Sequence, residues 1–366
     1  YLGVRGEQQL LDAVRRCFAS LFTDRAISYR INNGFDHMAV ALSVGVQRMV
    51  RSDLAGAGVA FTVDTETGFP RAVLVTAGVG LGETIVQGMV EPDEYHVFKP
   101  LLANPALSPI IHKECGSKLQ KLVCSLDNAA APTELVATTR SERDAYVLSD
   151  DEVLQIARWA TAIEDHYGTA MDIEWAKDGE TGELFIVQAR PETVQSTRRD
   201  SRFRTYSLRT HGSLLVSGLA IGEAIATGPV CRLDHPGQIG EFQTGAILVT
   251  GRTDPDWVPI MKRAAAIVTD HGGRTSHAAI VSRELGLPAI VGAQDATRRL
   301  SDGQIVTVSC CEGDQGHVYE GEAESDVTDF DLDHLPETRT KVMLNVANPS
   351  AAFHWWRLPS DGVGLA

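Results

Sequence analysis

The stretch HGGRTSHAAIVSRELGLPAIVG, residues 271–292, combines a glycine pair, two hydroxyl side chains and a histidine ahead of an apolar helical segment. Glycines permit a sharp turn from a strand into a helix, because they adopt backbone conformations that other residues avoid. Thr275 or Ser276 can cap the helix that follows, and His277 then lies in its first turn. The stretch therefore predicts a strand, a tight turn and a helix that begins near a histidine.

The position of His277 has a chemical consequence. Free N–H groups and the positive dipole end at a helix start favour an anion, so backbone donors would hold a phosphoryl group on the imidazole. The same field disfavours the imidazolium, and the neutral ring is the nucleophile that phosphoryl transfer requires. A histidine here can equally cap the helix or pack, and its position alone leaves both interpretations open. We expect Gly272, Gly273 and Arg274 to support the turn.

The sequence around this helix alternates between strand-like and helical segments. A glycine-punctuated run, SGLAIGEAIATGPV, begins at residue 217, and KVMLNV, residues 341–346, is expected to be the first strand of a further unit. This alternation predicts an α/β layer. Its other strands are expected at 246–250, 265–270, 288–292 and 304–310.

The N-terminal half also contains both helical and strand-like segments. Residues 150–167 carry an apolar stripe at helical spacing, with Asp150 as a cap, and residues 7–22 predict a helix with one buried face. Segments 171–176 and 184–190 flank KDGETGE, whose Asp-Gly and Thr-Gly pairs indicate a hairpin turn. Further strands are predicted, from apolar and β-branched composition, at 40–50, 57–63 and 72–76.

Composition suggests where the domains meet. The polar, basic residues 193–212 are typical of an interdomain linker, and an acidic connection lies near 320–335. The predicted fold class is a multidomain protein of α/β and α+β type. Its predicted parts are a first domain at 1–192, the linker at 193–212, a second domain at 213–325, and a linker with the start of a third unit at 326–366.

A glycine-rich loop follows the predicted strand at 72–76. It contains Gly80, Gly82 and Glu83. Such loops cradle phosphates in some proteins but more often only connect elements, so the spacing alone is weak evidence for a nucleotide site.

The predicted hairpin carries a second set of candidates, Glu174, Gln188 and Arg190. A carboxylate and an amide carbonyl are hard oxygen ligands that suit Mg²⁺, and the guanidinium fork matches phosphate oxygens. Asp172 lies on the same side of its strand as Glu174, because side chains alternate. The alternative is a solvated hairpin face with an ordinary Glu–Arg pair.

The overall charge of -15 excludes some classes of partner. Nucleic-acid binding needs clustered Lys and Arg, and no stretch approaches the ~20 apolar residues that would cross a bilayer, so we expect neither nucleic acid nor membrane as a partner. Six cysteines without CxxC spacing favour a reducing cytoplasm. The first residue is not Met, which indicates a piece of a longer protein.

Residues 253–292, TDPDWVPIMKRAAAIVTDHGGRTSHAAIVSRELGLPAIVG, closely resemble the phosphohistidine domain of the phosphoenolpyruvate-utilising enzyme family, in its phosphoenolpyruvate synthase branch. Residues 75–100, VTAGVGLGETIVQGMVEPDEYHVFKP, and the hairpin resemble the ATP-grasp domain of the same family. The likeness covers nearly the whole chain. It departs at Asp270-His271, where Asn-Arg is expected.

The resemblance implies part of an ATP-grasp nucleotide-binding domain, a swivelling β/β/α phosphohistidine domain and the start of a truncated barrel. It implies a phosphotransferase that converts pyruvate, ATP and water to phosphoenolpyruvate, AMP and phosphate through a phosphohistidine on His277, with Mg²⁺ as cofactor. The expected metal ligands are Glu174 and Gln188. The expected nucleotide contacts are Gly80, Gly82, Glu83, Gln188 and Arg190.

The implied partners are ATP, pyruvate or phosphoenolpyruvate at a site outside this chain, a regulatory enzyme that phosphorylates Thr275, and a second copy in a homodimer. Other enzymes with this histidine domain remain alternatives, above all pyruvate phosphate dikinase. A phosphocarrier fragment without catalysis of its own is the alternative from a different class.

Overall fold

The computed structural model describes residues 1–104, 106–125, 132–192, 202–274, 276–332, 338–346, 352–353, 355–356 and 358–365 of the 366-residue chain. In this part of the chain no helix is both long enough and apolar enough to cross a membrane. The α-helices are α1 (Gly6–Ala19), α2 (Asp24–Asn33), α3 (Glu83–Val86), α4 (Arg140–Asp144), α5 (Asp150–Tyr167), α6 (Val258–Met261), α7 (His277–Leu285) and α8 (Ala296–Arg299).

The first eight strands precede residue 192. They are β1 (Gly56–Phe61), β2 (Ala72–Val79), β3 (Asp93–Phe98), β4 (Ile110–Glu114), β5 (Gln120–Cys124), β6 (Thr133–Ala137), β7 (Met171–Lys177) and β8 (Leu184–Pro191). Six of them form one antiparallel sheet in the order β4-β3-β2-β1-β7-β8, and β5 and β6 pair separately.

The remaining strands follow residue 201. They are β9 (Arg202–Leu208), β10 (Leu214–Ile221), β11 (Ile225–Arg232), β12 (Ile247–Thr250), β13 (Ala266–Thr269), β14 (Ala289–Val291), β15 (Ile305–Ser309), β16 (Gln315–Glu320), β17 (Ser325–Asp331), β18 (Met343–Asn345) and β19 (Gly362–Leu365). Seven close into a barrel in the order β10-β14-β13-β12-β11-β15-β16. Strands β11 to β14 run parallel to one another, whereas the pairings of β15 and β16 are antiparallel.

Hydrophobic clusters support each of these sheets separately: one large cluster for the six-stranded sheet and two for the barrel. In the six-stranded sheet, the apolar stripe of α5, including Val153 and Ile156, packs against sheet residues such as Ile173 and Trp175. In the barrel, α6 and α7 pack on the outside of the wall, while β-branched side chains fill its interior. The barrel strands therefore contribute to buried clusters on both faces, and the central strands β1 and β2 of the six-stranded sheet are likewise buried at consecutive positions.

Most strand predictions are confirmed, but the segment 40–50 is a correction. It has no strand structure along its length. Gln47 reaches the carbonyl of Val187 on β8 only through its side chain, at 3.3 Å. An apolar, β-branched run forms a strand only when another strand pairs with its backbone, and here no ladder forms.

Three details of the helices and linkers also differ from prediction. Ser149, not Asp150, caps α5, because its hydroxyl accepts from the Glu152 N–H in a capping box. Helix α1 has no fully buried residue, so its predicted buried face is wrong. Within the polar segments predicted as linkers, β9 and β17 pair as an antiparallel ribbon; residues 193–201 lie outside the described part.

Candidate functional site

His277 is the first residue of α7, as the glycine and hydroxyl pattern predicts. Ser276 is the N-cap, with φ -67° and ψ 159°, and its hydroxyl accepts from the Ala279 N–H at 3.4 Å. The cap therefore comes from the second of the two candidates, while Thr275 lies outside the described residues. Since α7 has nine residues, its first turn presents the N–H groups and positive dipole end that favour an anion.

The turn before α7 depends on Gly272 more than on Gly273. Gly272 has φ +122°, and a Cβ there would lie 2.8 Å from Ser276 Oγ. At Gly273 the nearest atom to such a Cβ, Pro92 Cδ, would be 3.6 Å away, an ordinary contact. Arg274, the third predicted support, forms a hydrogen bond to Asp314 at 3.0 Å.

The imidazole of His277 is oriented by Thr253, at the end of the β12 loop. Thr253 Oγ1 lies 2.9 Å from His277 Nδ1, and Thr253 is only 3% exposed. In the tautomer that suits nucleophilic attack, Nδ1–H donates to the hydroxyl and Nε2 carries the reactive lone pair. The hydrogen bond thus occupies Nδ1 in this tautomer.

Asp270, which stands where Asn is expected, forms its side-chain hydrogen bonds with Thr297 and not with Thr253 or His277. Its carboxylate accepts from the Thr297 N–H at 3.0 Å and from the Thr297 hydroxyl. The Asp therefore stabilises the connection between β14 and α8, and its charge is taken up by local donors.

A large cavity of about 1220 Å³ lies beside the six-stranded sheet. Four predicted ligand-binding residues line it: Gly82, Glu83, Glu174 and Gln188. The apolar side of α1, with Leu10 and Val14, forms another part of the wall, which explains why that side is not buried in a core.

Two predicted contacts, Gly80 and Arg190, are not among the cavity-lining residues. Gly80 has φ +91°, and a Cβ there would lie 2.6 Å from the Leu122 carbonyl oxygen, so its glycine is required by close packing against β5. Arg190 is paired with Asp172 through contacts of 2.8 and 2.9 Å. The predicted ion pair on the hairpin therefore joins Arg190 to Asp172, whereas Glu174 is directly opposite Gln188.

The carboxylates on this face of β7 have perturbed acidity. Burial raises the pKa of Asp172, although the Arg190 charge opposes the shift. Burial also raises the pKa of Glu174, and the nearby Asp172 charge adds to the effect. A cation bound in the cavity would meet the Glu174 carboxylate, which lines the cavity, whereas Asp172 is not among the lining residues and is paired with Arg190.

With this geometry in place, comparison with known proteins assigns the family. The family model described as pyruvate phosphate dikinase, AMP/ATP-binding domain, matches residues 1–209. The chain belongs to this family. A second model, described as the mobile domain of PEP-utilising enzymes, matches residues 242–313, and the resemblance seen in the sequence is thereby confirmed.

Relatives over the full chain carry one name. The chain is 54% identical to a phosphoenolpyruvate synthase of Synechocystis sp., 51% identical to one of Pseudomonas aeruginosa and 50% identical to one of Escherichia coli. Each alignment covers 100% of this chain but only 45%, 46% and 46% of the respective relative. The chain thus spans less than half the length of these relatives.

The two family matches divide the site between them. The AMP/ATP-binding match contains the cavity residues, and the mobile-domain match contains His277 and Thr253. Sequence reasoning missed Thr253 because it lies 24 positions before its partner. It also gave no role to Glu66 and Gly88, whose contacts with α7 cross from one sheet to the other; the only signal was the VQG motif that ends at Gly88.

Proposed function

We propose that this chain is the nucleotide-binding and phosphohistidine part of a pyruvate, water dikinase. The overall reaction is pyruvate, ATP and water to phosphoenolpyruvate, AMP and phosphate, with His277 as the phosphoryl carrier. The observation that carries the proposal is the 2.9 Å contact between Thr253 Oγ1 and His277 Nδ1 at a helix start, which prepares Nε2 as the nucleophile. The shared name of the full-chain relatives supports the choice of reaction.

In the proposed transfer, Nε2 of neutral His277 forms a bond to the β-phosphorus of ATP as the bond from that phosphorus to the AMP oxygen breaks. Water then cleaves off the terminal phosphate, which leaves one phosphoryl group on Nε2. The capped first turn of α7 offers backbone N–H donors to the phosphoryl oxygens. Thr253 keeps the ring proton on Nδ1 throughout. The family's AMP/ATP-binding description supports ATP as the donor.

The cavity is the proposed nucleotide site, with Gly82 and Glu83 in its wall. Glu174 and Gln188 are paired across β7 and β8 and both line the cavity. Mg²⁺ is commonly bound through one or two protein oxygens together with substrate phosphates, so these two residues fit the role. When bound, Mg²⁺ would neutralise charge on the phosphates. Within the described residues no group of three or more His, Cys, Asp or Glu forms an all-protein metal site.

The finer architecture is also proposed: a partial ATP-grasp fold up to residue 192, and a swivelling phosphohistidine domain at 213–325. A swivel is needed because one histidine must visit both the nucleotide and a distant pyruvate site. The β9–β17 ribbon joins the chain just before the barrel to the chain just after it, so we propose that the ribbon and the barrel move as one body.

Regulation at Thr275, a homodimeric assembly and a cytoplasmic location stay predictions. A dianion on Thr275, two positions before His277, would compete for the same helix-end field and repel the incoming phosphoryl group. Arg190 is proposed as a phosphate ligand that would exchange its Asp172 partner for nucleotide.

The first test is labelling with [β-³²P]ATP and Mg²⁺, followed by a search for an acid-labile, base-stable label. We expect label on the wild-type chain, or on a version extended at its N-terminus, and none on His277→Ala. His271→Ala is the matched control, because His271 is exposed in the same loop and should label normally.

Continued absence of label in the extended version would overturn the phosphohistidine proposal. Label without turnover of pyruvate in a version as long as the relatives would favour a phosphocarrier. Turnover that requires inorganic phosphate as co-substrate would instead favour pyruvate phosphate dikinase.

A further inference from the structure

The helix that carries His277 is seated on two loops of the six-stranded sheet. Glu66, in the loop after β1, forms an ion pair with Arg283 of α7 and lies 3.7 Å from the Arg274 guanidinium. The second loop contains Gly88 and follows α3. Both contacts join the nucleotide-binding part of the chain to the barrel part.

Gly88 allows the closest approach between the two parts. It has φ +64°, and a Cβ there would lie 2.5 Å from Ser276 Cβ, 3.0 Å from Ser276 Cα and 3.5 Å from the His277 nitrogen. Real Cβ atoms do not pack at the first of these distances. Any side chain at this position must therefore push the start of α7 away.

The Gly88 loop is continuous with the wall of the cavity. Val86 and Gln87, which immediately precede Gly88, both line the cavity. The two loops that contain Glu66 and Gly88, called the seat below, thus hold the start of α7 against the segment that borders the proposed nucleotide site.

The charges in the seat are suited to reversible docking. Arg283 is 5% exposed in its side chain and Glu66 17%. A buried ion pair gains little net stability over its desolvation cost, but leaving one partner unpaired is expensive. Such a contact favours one docked geometry without making it permanent. Arg274 contributes on the same side, with Glu94 at 4.0 Å and Asp314 at 3.0 Å.

We propose that Gly88 and Glu66 are positioning residues that seat the His277 helix at the nucleotide cavity for its phosphorylation. This inference rests on the proposed function, because it assigns a step to the histidine. Neither residue touches the reacting atoms; each acts through α7.

The deciding variant is Gly88→Ala, compared with Gly168→Ala. Gly168 ends α5 with φ +69°, and a Cβ there would have no atom within 4 Å. Both variants therefore place a Cβ on a left-handed backbone of nearly the same φ, but only the Cβ of Gly88→Ala meets α7. Labelling of His277 by [β-³²P]ATP, nucleotide affinity and the radius of gyration from small-angle scattering are measured on each.

We expect Gly88→Ala to lower the labelling rate by about tenfold or more, since a misplacement of about 1 Å can cost on the order of 100-fold. Nucleotide affinity should match that of Gly168→Ala, and the radius of gyration should rise only in Gly88→Ala. Glu66→Gln should show the same pattern more weakly, with the exposed Glu180→Gln as its control. Equal labelling and equal scattering for Gly88→Ala and Gly168→Ala would overturn the seat.

The seat and the proposed function can fail separately. If neither the wild-type chain nor its N-terminally extended version takes label, the proposed function fails, and scattering alone decides whether the docked contact exists. If the wild type labels and only the seat variants behave like their controls, the function stands and the seat is wrong.

Discussion

At the scale of single residues, the hydroxyl of Thr253 contacts Nδ1 of His277, and in the proposed transfer this contact leaves Nε2 to react. Thr253→Val keeps the shape of the side chain but removes the partner of Nδ1. Loss of one such hydrogen bond is worth about 1 kcal/mol, so we expect labelling of His277 to slow by about five- to tenfold. Nitrogen-15 NMR of the ring should show a mixture of tautomers in place of one.

The variant Thr253→Ser separates the role of the hydroxyl from the role of the methyl group in packing. Thr253→Ser retains the hydroxyl and should restore both the labelling rate and the single tautomer, although it loses a buried methyl group. If Thr253→Val keeps the wild-type tautomer, the hydrogen bond does not set the ring orientation.

Residues whose roles depend on near neighbours could be predicted from the sequence. The Ser276 cap and the place of His277 follow from a few adjacent residues, and Glu174 faces Gln188 because a hairpin fixes its own register. Thr253 and Glu66 could not be predicted, because their partners come from distant parts of the chain. Nor does local sequence tell that Arg190 is already paired with Asp172.

At the scale of elements, β3 brings a carboxylate whose side chain is only 12% exposed, Glu94, to the edge of the seat. Burial raises the pKa of Glu94 from its ordinary 4.5 to about 7. Arg274 opposes the shift, while three further carboxylates around Glu94 add to it: Glu114, Asp64 and Asp314. Burial also lowers the pKa of the neighbouring His96, so that ring adds little positive charge near neutral pH.

The sign of the pH effect follows from the raised pKa. Between pH 4.5 and about 7 the folded protein binds a proton at Glu94 that the unfolded chain releases, so the free energy of unfolding falls as pH rises through this window. Glu94→Gln should remove the cost of ionising this carboxylate and stabilise the protein at pH 8 by on the order of 3 kcal/mol, with almost no gain at pH 4. Urea unfolding at both pH values measures the difference.

Glu134→Gln, on the exposed side of β6, is the control and should change stability equally at both pH values. A Glu94→Gln variant that is less stable than wild type at pH 8 would mean that the Arg274 pair outweighs burial, and the raised pKa would be wrong.

Helices and strands could be predicted where apolar residues recur at a regular helical or strand spacing. Helix α5 and the β7–β8 hairpin follow from helical spacing and turn residues. Residues 40–50 have a strand-like composition, but pairing depends on which backbone is available nearby. The β9–β17 ribbon was not predicted, because its composition is polar and does not resemble that of a strand. Its strands are held by backbone pairing and by ion pairs such as Arg204 with Asp329, 2.5 Å apart.

At the scale of the whole molecule, the separate hydrophobic cores of the six-stranded sheet and the barrel predict two unfolding units joined by the seat. Ile173 is fully buried in the core of the six-stranded sheet, and Ile267 is fully buried in that of the barrel. Replacing either by Ala should cost about 2–5 kcal/mol. Calorimetry should show that Ile173→Ala lowers the midpoint temperature of one transition and that Ile267→Ala lowers that of the other. Fluorescence of variants that keep only Trp175 or only Trp257 reports on each core separately.

The seat should determine how strongly these transitions are coupled. The contacts across it include a close glycine approach, ion pairs and a hydrogen bond from the Gly222 N–H to Glu66, and such contacts orient the barrel without merging the two cores. Glu66→Gln should therefore separate the transitions further while leaving each core's own stability unchanged. If Ile173→Ala and Ile267→Ala each shift a single common transition, the chain unfolds as one unit, and the barrel could not then move against the sheet without breaking a core.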